Sequence, residues 1–332
     1  MKKLIAPLII IAVILLIYFL APKPLIVSPT LSIILTILIG VALVGVLILT
    51  IIGRPIGRRT VFVFVAVSLT LPFFMSISLP IRVTPEVTTL VDALSALPPG
   101  SKVLASYDYD PPSAPELQPM SDAFIRFAFK HDLKLIIMGL WPQGPQQAQQ
   151  SIDAALTDPE IEAMNLQYGK DYVILGYQSG NEFVIQRMGT AFKGMFPRDI
   201  RNTPYNEIPL LKGVQNFSNI DFVMNFSAGK PGTVEWVQIA VDRFGVPVGA
   251  GNTAVQAPQV YPYLKAGQLT GLLGGMSGGA EFESATHEKG KATTFMLSQS
   301  FAHVVVIAFI LIGNVNLLLT RKKRPGAGGT MS

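Results

Sequence analysis

Asp108 and Asp110 stand two residues apart in "SYDYDPP". On an extended chain, residues i and i+2 point the same way. Two carboxylates so placed can share a hard cation such as magnesium or calcium, or divide into an acid and a base. In a turn before two prolines they also serve as caps. Further along, "NFSAGKPGT" sets Ser227, Gly229 and Gly232 ahead of an expected helix, where backbone N–H groups can hold an anion. The stretch is not the GxxxxGK[ST] phosphate loop. Glu182, Asn252 and Thr253 are further polar residues placed where an apolar run gives way to a turn. His131, His287 and His303 have no spacing suited to zinc. With no cysteine there is no thiol nucleophile and no thiolate metal site. These residues leave any cofactor undefined.

The elements that must position them follow a regular alternation. Short β-branched apolar runs predict strands at Lys102–Tyr107, Lys134–Leu140, Tyr172–Gly176, Asp221–Phe226 and Val246–Ala250. Longer stretches between them predict helices at Pro115–His131, Pro145–Ala155, Asn181–Phe196 and Thr233–Phe244. Alternating strand and helix implies an α/β fold with a mainly parallel sheet and helices on both faces. "LIIMGL" and "YVILGY" read as strands buried on both sides. Residues 82–100 predict a short helix and a turn, and residues 197–219 an excursion rich in turn signals. In open parallel sheets, ligands bind at the carboxyl ends of the strands. Asp108, Asp110, Glu182, Ser227, Gly229, Asn252 and Thr253 all fall at such ends, so one composite ligand site is expected there, against the plainer reading that βα turns have this composition anyway.

Two resemblances attach to these motifs. "NFSAGKPGT" resembles the glycine turn after a strand in ClpP-like and crotonase-like serine hydrolases and signal-peptide peptidases, where the turn supplies oxyanion-hole amides. The resemblance covers about fifty residues. It implies a serine at the start of the helix after the next strand, where this chain has "AGNTAVQAPQVYPYL" and Thr253 is the nearest hydroxyl. Ser227 with Lys230 is the remaining formal pair, without a third group to orient a base. "YDYDPPSAPELQP", "LWPQG", "SAGKPG" and "GLLGGMSGGAEFE" are similar to an uncharacterised family of bacterial membrane-anchored proteins with an extracytoplasmic α/β domain, across most of the chain. That likeness implies the fold and the anchor and no catalytic residue. The sheet is accordingly expected to be Rossmann-like or ClpP/crotonase-like.

Half of the 332 residues are hydrophobic and only 14% are charged, too apolar for an ordinary soluble chain. Four apolar stretches predict four transmembrane helices: about 4–20, 30–52, 60–81 and 295–320. The first, after Lys2 and Lys3, lacks a small-x-small cleavage site and reads as retained. Lys2, Lys3, Arg54, Arg58, Arg59 and the run Arg321–Arg324 lie on one side, which places both termini in the cytoplasm and residues 82–294 outside a cell membrane, crossed several times. The net charge of +5 reflects these flanks, so the lipid bilayer and not nucleic acid is the expected partner. No span holds an acid or a base other than His303, which argues against an ion-coupled transporter. Residues 321–332 read as a basic, disordered tail.

In "GQLTGLLGGMSGG", Gly267, Gly271, Gly275 and Gly279 recur every fourth residue. A glycine in a helix costs about 1 kcal/mol relative to alanine. Close packing must offset that, so a helix, or partly a strand and turn, is expected to set a bare face against neighbouring backbone: the domain's own sheet first, a second copy of the chain next. The function expected is a membrane-anchored extracytoplasmic domain that binds a ligand or protein partner, noncatalytic and able to self-assemble. The alternative is a hydrolase-like enzyme at the same strand ends.

Overall fold

The computed structural model describes residues 28–54, 56–75, 80–288 and 290–322. The expected first span, about 4–20, and the tail beyond residue 322 lie outside these residues. The chain divides into two compact units. One is residues 80–293; the other is built from the residues on either side.

In the flanking unit, α1 (Pro29–Ile51) starts at Ser28, whose side chain accepts from Leu31 N. The next helix, α2, is Arg58–Thr70, and a 3-10 turn, Leu71–Phe74, follows it. The third expected span, 60–81, is therefore corrected: it is not one continuous helix. Pro72 has no N–H to donate into an α-helical ladder, and the helix gives way there. Two described helices are long and apolar enough to cross a membrane, Pro29–Ile51 and Lys291–Thr320, against four expected, the first of which falls outside the described residues. Several of their polar side chains turn back on their own helices: Thr36 to Ser32 O, Thr50 to Val46 O, Ser300 to Met296 O and Asn314 to Ile310 O.

The unit of residues 80–293 opens with α3 (Pro85–Ser95), then alternates. Its elements are β1 (Lys102–Asp108), α4 (Ala114–Lys130), β2 (Lys134–Gly139), α5 (Gly144–Leu156), α6 (Pro159–Glu162), β3 (Tyr172–Tyr177), α7 (Glu182–Met195), β4 (Phe222–Ser227), α8 (Thr233–Trp236), β5 (Val248–Asn252), α9 (Ala257–Lys265), β6 (Gly271–Gly274) and α10 (Gly275–Thr286). The last helix, α11 (Lys291–Lys322), starts in this unit. All six strands are parallel, in the order β3-β2-β1-β4-β5-β6. Five strands and three of the four helices expected between them match the sequence expectation to within a few residues. The sixth strand lies inside the glycine stretch, where a helix, or partly a strand and turn, is expected from sequence. The expected helix Thr233–Phe244 is α-helical only to Trp236 and continues as a π-turn over Val237–Val241.

Alternation along each strand builds two cores. Leu104, Ile136, Val173, Val223 and Val248 point to one face, under Val184, Met188, Trp236 and Val260 from α7, α8 and α9. Val103, Ala105, Leu135, Ile137 and Met224 point to the other, under Leu90, Phe124, Ile152 and Phe282 from α3, α4, α5 and α10. Helices therefore cover both faces, and each strand residue named here is buried. The 197–219 excursion buries Leu210, Leu211 and Phe217 in the first core. Ile200 N donates to Ile174 O at 3.1 Å, so the excursion also covers the outer edge of β3.

Candidate functional site

Strand register brings the polar ends together. Ser106 pairs with Asn225, Asp108 with Ser227, and Ser227 with Asn252. Each pair of same-strand residues is two apart, so all five side chains share the face of Leu104 and Val223. The sheet order reverses between β1 and β4, and in doubly wound nucleotide-binding sheets of this order the ligand lies at that reversal. Here the position is filled by side chains.

Asp108 is fully buried. Its Oδ1 accepts from Leu140 N (2.7 Å) and Ser106 Oγ (2.9 Å). Its Oδ2 accepts from Asn225 Nδ2 (2.6 Å) and Trp236 Nε1 (2.9 Å). Burial lifts the carboxyl to about 6, and the four donors pull against that rise. The donors are themselves oriented. Asn252 Nδ2 donates to Thr233 Oγ1 (2.9 Å), Thr233 Oγ1 to Asn225 Oδ1 (2.7 Å), and Asn225 to Asp108.

A second limb leads away from the carboxylate. Asn252 Nδ2 also faces Gln256 Oε1 (3.0 Å), and Gln256 Nε2 donates to Ser227 Oγ (3.2 Å) and Gly229 O (3.0 Å). Ser227 Oγ donates to Gly229 O (3.1 Å). Only glycine fits at 232, because a Cβ there would overlap Ser227 Oγ. Trp141 Nε1 donates to Pro231 O (2.8 Å), which fastens this turn to the end of β2.

The structure thus joins Asp108, Ser227, Gly229 and Asn252 in one network. It leaves three expected residues outside. Asp110 is half-buried, precedes the 3-10 turn Pro111–Ser113 and accepts from Ser113 Oγ (3.1 Å). Glu182 is exposed in the first turn of α7. Thr253 offers its carbonyl to Gln256 N (3.0 Å) and Ala257 N (2.9 Å). Sequence reading missed Ser106, Asn225, Thr233, Trp236 and Gln256. Ser106-x-Asp108 and Asn225-x-Ser227, polar pairs at same-face spacing that end apolar runs, carried a signal for two of them.

A separate buried chain lies on the other face. Tyr107 Oη meets Ser121 Oγ (2.5 Å), which meets Ser151 Oγ (2.7 Å), which donates to Asp122 Oδ1 (2.7 Å). It ties β1, α4 and α5, and burial raises the Tyr107 hydroxyl well above its ordinary range. Among the described residues no three His, Cys, Asp or Glu side chains converge as a metal set. His131 Nδ1 meets Phe127 O (2.8 Å) and its ring stacks on Phe127.

The exposed side chains at the strand ends are mixed: Ser179, Asn181, Glu182 and Lys230 are polar, and others are apolar. Phe183 is 60% exposed and Val255 85%. Tyr177 and Ile200 are also exposed, and Ile200 Cγ2 packs against Gly176 beside Tyr177. Gly176 and Gly180 both have positive φ in the turn that carries Tyr177 and leads to Phe183. Such an arrangement suits contact with another surface better than proton transfer. Comparison of the chain with protein-family models finds no match, and comparison with curated proteins finds none.

Proposed function

We propose that this chain is a membrane-anchored protein whose α/β unit lies outside the cytoplasm and binds a protein partner at the carboxyl edge of its sheet without catalysing a reaction. One observation carries this reading. The polar groups of the Asp108 network are buried and hydrogen-bonded to one another, while the apolar side chains of Tyr177, Phe183, Ile200 and Val255 are exposed at or beside the strand ends, alongside exposed Glu182 and Lys230. Isolated exposed apolar residues are ordinary, but several at one edge mark an interaction surface. Aromatic residues are also the commonest strong contributors to protein interfaces.

The sheet is Rossmann-like in strand order, and the anchor includes α1 and α11. The hydrolase alternative draws less support. Ser227 Oγ is partnered by Gly229 and Gln256, and Lys230 Nζ lies 3.9 Å from Glu235. Neither arrangement supplies a base to the serine.

Photo-crosslinking residues placed at Phe183 and Val255, in native membranes, test the reading. Capture of a protein at both, and not at exposed Glu160, is the expected result. A product of twice the chain's mass identifies the partner as a second copy. Phe183→Ser should lower capture from position 255, and Val255→Ser capture from position 183, each roughly tenfold, as loss of an interface anchor does. Equal capture at 183, 255 and 160 rejects the edge as the binding surface.

A further inference from the structure

We infer that α10 is a coupling strut: it links the exposed loop after β5 to the two points where the chain enters and leaves the α/β unit, so that a partner seated on that loop alters the hold on the first turn of α11. The geometry stands by itself; only the identity of what presses on the loop rests on the proposed function.

The strut begins at the edge. Gly275 has φ +60, and a Cβ there would lie 2.9 Å from Ala254 Cβ. Ala254 precedes exposed Val255, and its N–H is held by Glu116 Oε2 at 2.7 Å. Further along, Gly279 is wedged between Met120 Cγ and Ala292 Cβ, at 3.0 and 3.2 Å from where a side chain would start. From Gly275 to Glu283 the helix rises about 12 Å.

Its far part carries two carboxylates that act on other helices. Glu281 and Glu283 are two residues apart, so they leave the helix roughly 200° apart around its axis. Glu281 Oε2 accepts from Thr84 N (2.8 Å) and Thr84 Oγ1 (2.6 Å), the residue that leads into α3. Glu283 accepts from Ala292 N (2.9 Å), Thr293 N (2.8 Å) and Thr293 Oγ1 (2.7 Å). Those amides belong to the first turn of α11, where helical N–H groups have no partner within the helix. That first turn contains no acid of its own, so Glu283 supplies its cap from outside. The link between α10 and α11 is pinned as well. Glu288 Oε2 lies 3.1 Å from Lys130 Nζ and 3.7 Å from Arg126 Nε, and a Cβ at Gly290 would lie 2.6 Å from Arg126 Nη2. A shift of α10 therefore moves both caps together.

Hydrogen exchange at single amides of the full chain in detergent micelles tests this. Glu283→Gln should speed exchange at Ala292 and Thr293 directly, by roughly fivefold, the equivalent of one lost cap. Gly275→Ala acts at the other end of the helix. It should produce a comparable rise at Ala292 and Thr293, with Leu104 and Val223 in the central strands unchanged. Ser277→Ala, on the exposed side of α10, should change neither. If Gly275→Ala loosens the central strands too, Val255→Cys supplies the second route, since the chain has no other cysteine to take a bulky maleimide. Labelling there should again raise exchange at Ala292 and Thr293. Protection at those two amides that survives both the selective Gly275→Ala change and the Val255 label overturns the strut. Neither readout needs a partner, so a failed crosslink at Phe183 and a failed exchange response are separate results.

Discussion

Asp108 keeps a negative charge in the middle of the fold because the surrounding dipoles are turned toward it. Four donors reach it, and one of them is the end of a chain from Asn252 through Thr233 and Asn225. Asp108→Asn would place an N–H₂ against a ring of donors. A buried donor left unmatched costs about 1–3 kcal/mol, so calorimetry of the full chain should show lost stability with partner capture at Phe183 preserved. A ligand carboxylate would give the opposite pattern. The pH dependence has a definite sign. The folded carboxyl titrates at about 6, above the ordinary 3.9 of an unfolded Asp. The native state therefore binds this proton more tightly. The contribution is whole below about pH 4 and is lost as pH rises through about 6. The stability gap between wild type and Asp108→Asn should therefore be wider below about pH 4 than above about pH 6. Sequence alone marked Asp108, Ser227 and Asn252 as strand-end residues. It had no means to show that they are buried, because their partners, Leu140 N and Trp236, come from elements that meet only in the folded sheet. Asp110 carried the same same-face argument and ends elsewhere: β1 stops at Asp108, and Asp110 is taken by the turn and Ser113.

Three different elements share the glycines that looked like one helix face. Gly267 sits in a turn at φ +72 with nothing within 4 Å of an added Cβ. Gly271 opens β6, and a Cβ there would lie 2.5 Å from Leu90 Cβ and 2.6 Å from Glu86 O. Gly275 and Gly279 belong to α10. The backbone of α3 thus lies directly on β6, and that contact is long-range, which no local spacing encodes. A strand of four residues is also too short for alternation to show. The other five strands were legible because each is a continuous apolar run between turn residues. The π-turn after Trp236 left no mark in the sequence. Alanine at each position separates the roles in thermal unfolding of the full chain. Gly271→Ala should overpack α3 against the sheet and cost about 1–3 kcal/mol. Gly267→Ala meets no neighbour, and only its left-handed backbone should cost about 1 kcal/mol. Ser277→Ala is exposed on the helix and should be near neutral. Equal tolerance at Gly271 and Ser277 would contradict the close approach of α3 to β6.

At the scale of the whole chain, composition announced membrane segments, and two long apolar helices, α1 and α11, are present. The count of spans was less legible, because an apolar run does not reveal where its helix breaks. Pro72 interrupts the third stretch, leaving α2 with 13 residues, about 20 Å of helix, before the 3-10 turn. The bilayer core is about 30 Å thick. Whether that stretch crosses decides where the α/β unit lies. Arg54, Arg58 and Arg59 precede that stretch, and the basic run Arg321 to Arg324 begins in the last two residues of α11. Basic residues concentrate on the cytoplasmic side of short loops. If the third stretch crosses as a broken helix, residues 80–293 lie outside, and the C-terminus returns to the cytoplasm through α11. If it folds back instead, the unit stays on the same side as Arg54, and α11 carries the C-terminus out. Reporter fusions to the full chain separate these arrangements. A reporter active only in the cytoplasm should be silent near residue 200 and active after Ser332. The inverse pattern, active at 200 and silent at the end, would place the proposed binding edge in the cytoplasm and its partner with it. Moving the charges checks the cause: replacing Arg54, Arg58 and Arg59 with Gln should shift part of the population toward that inverse pattern.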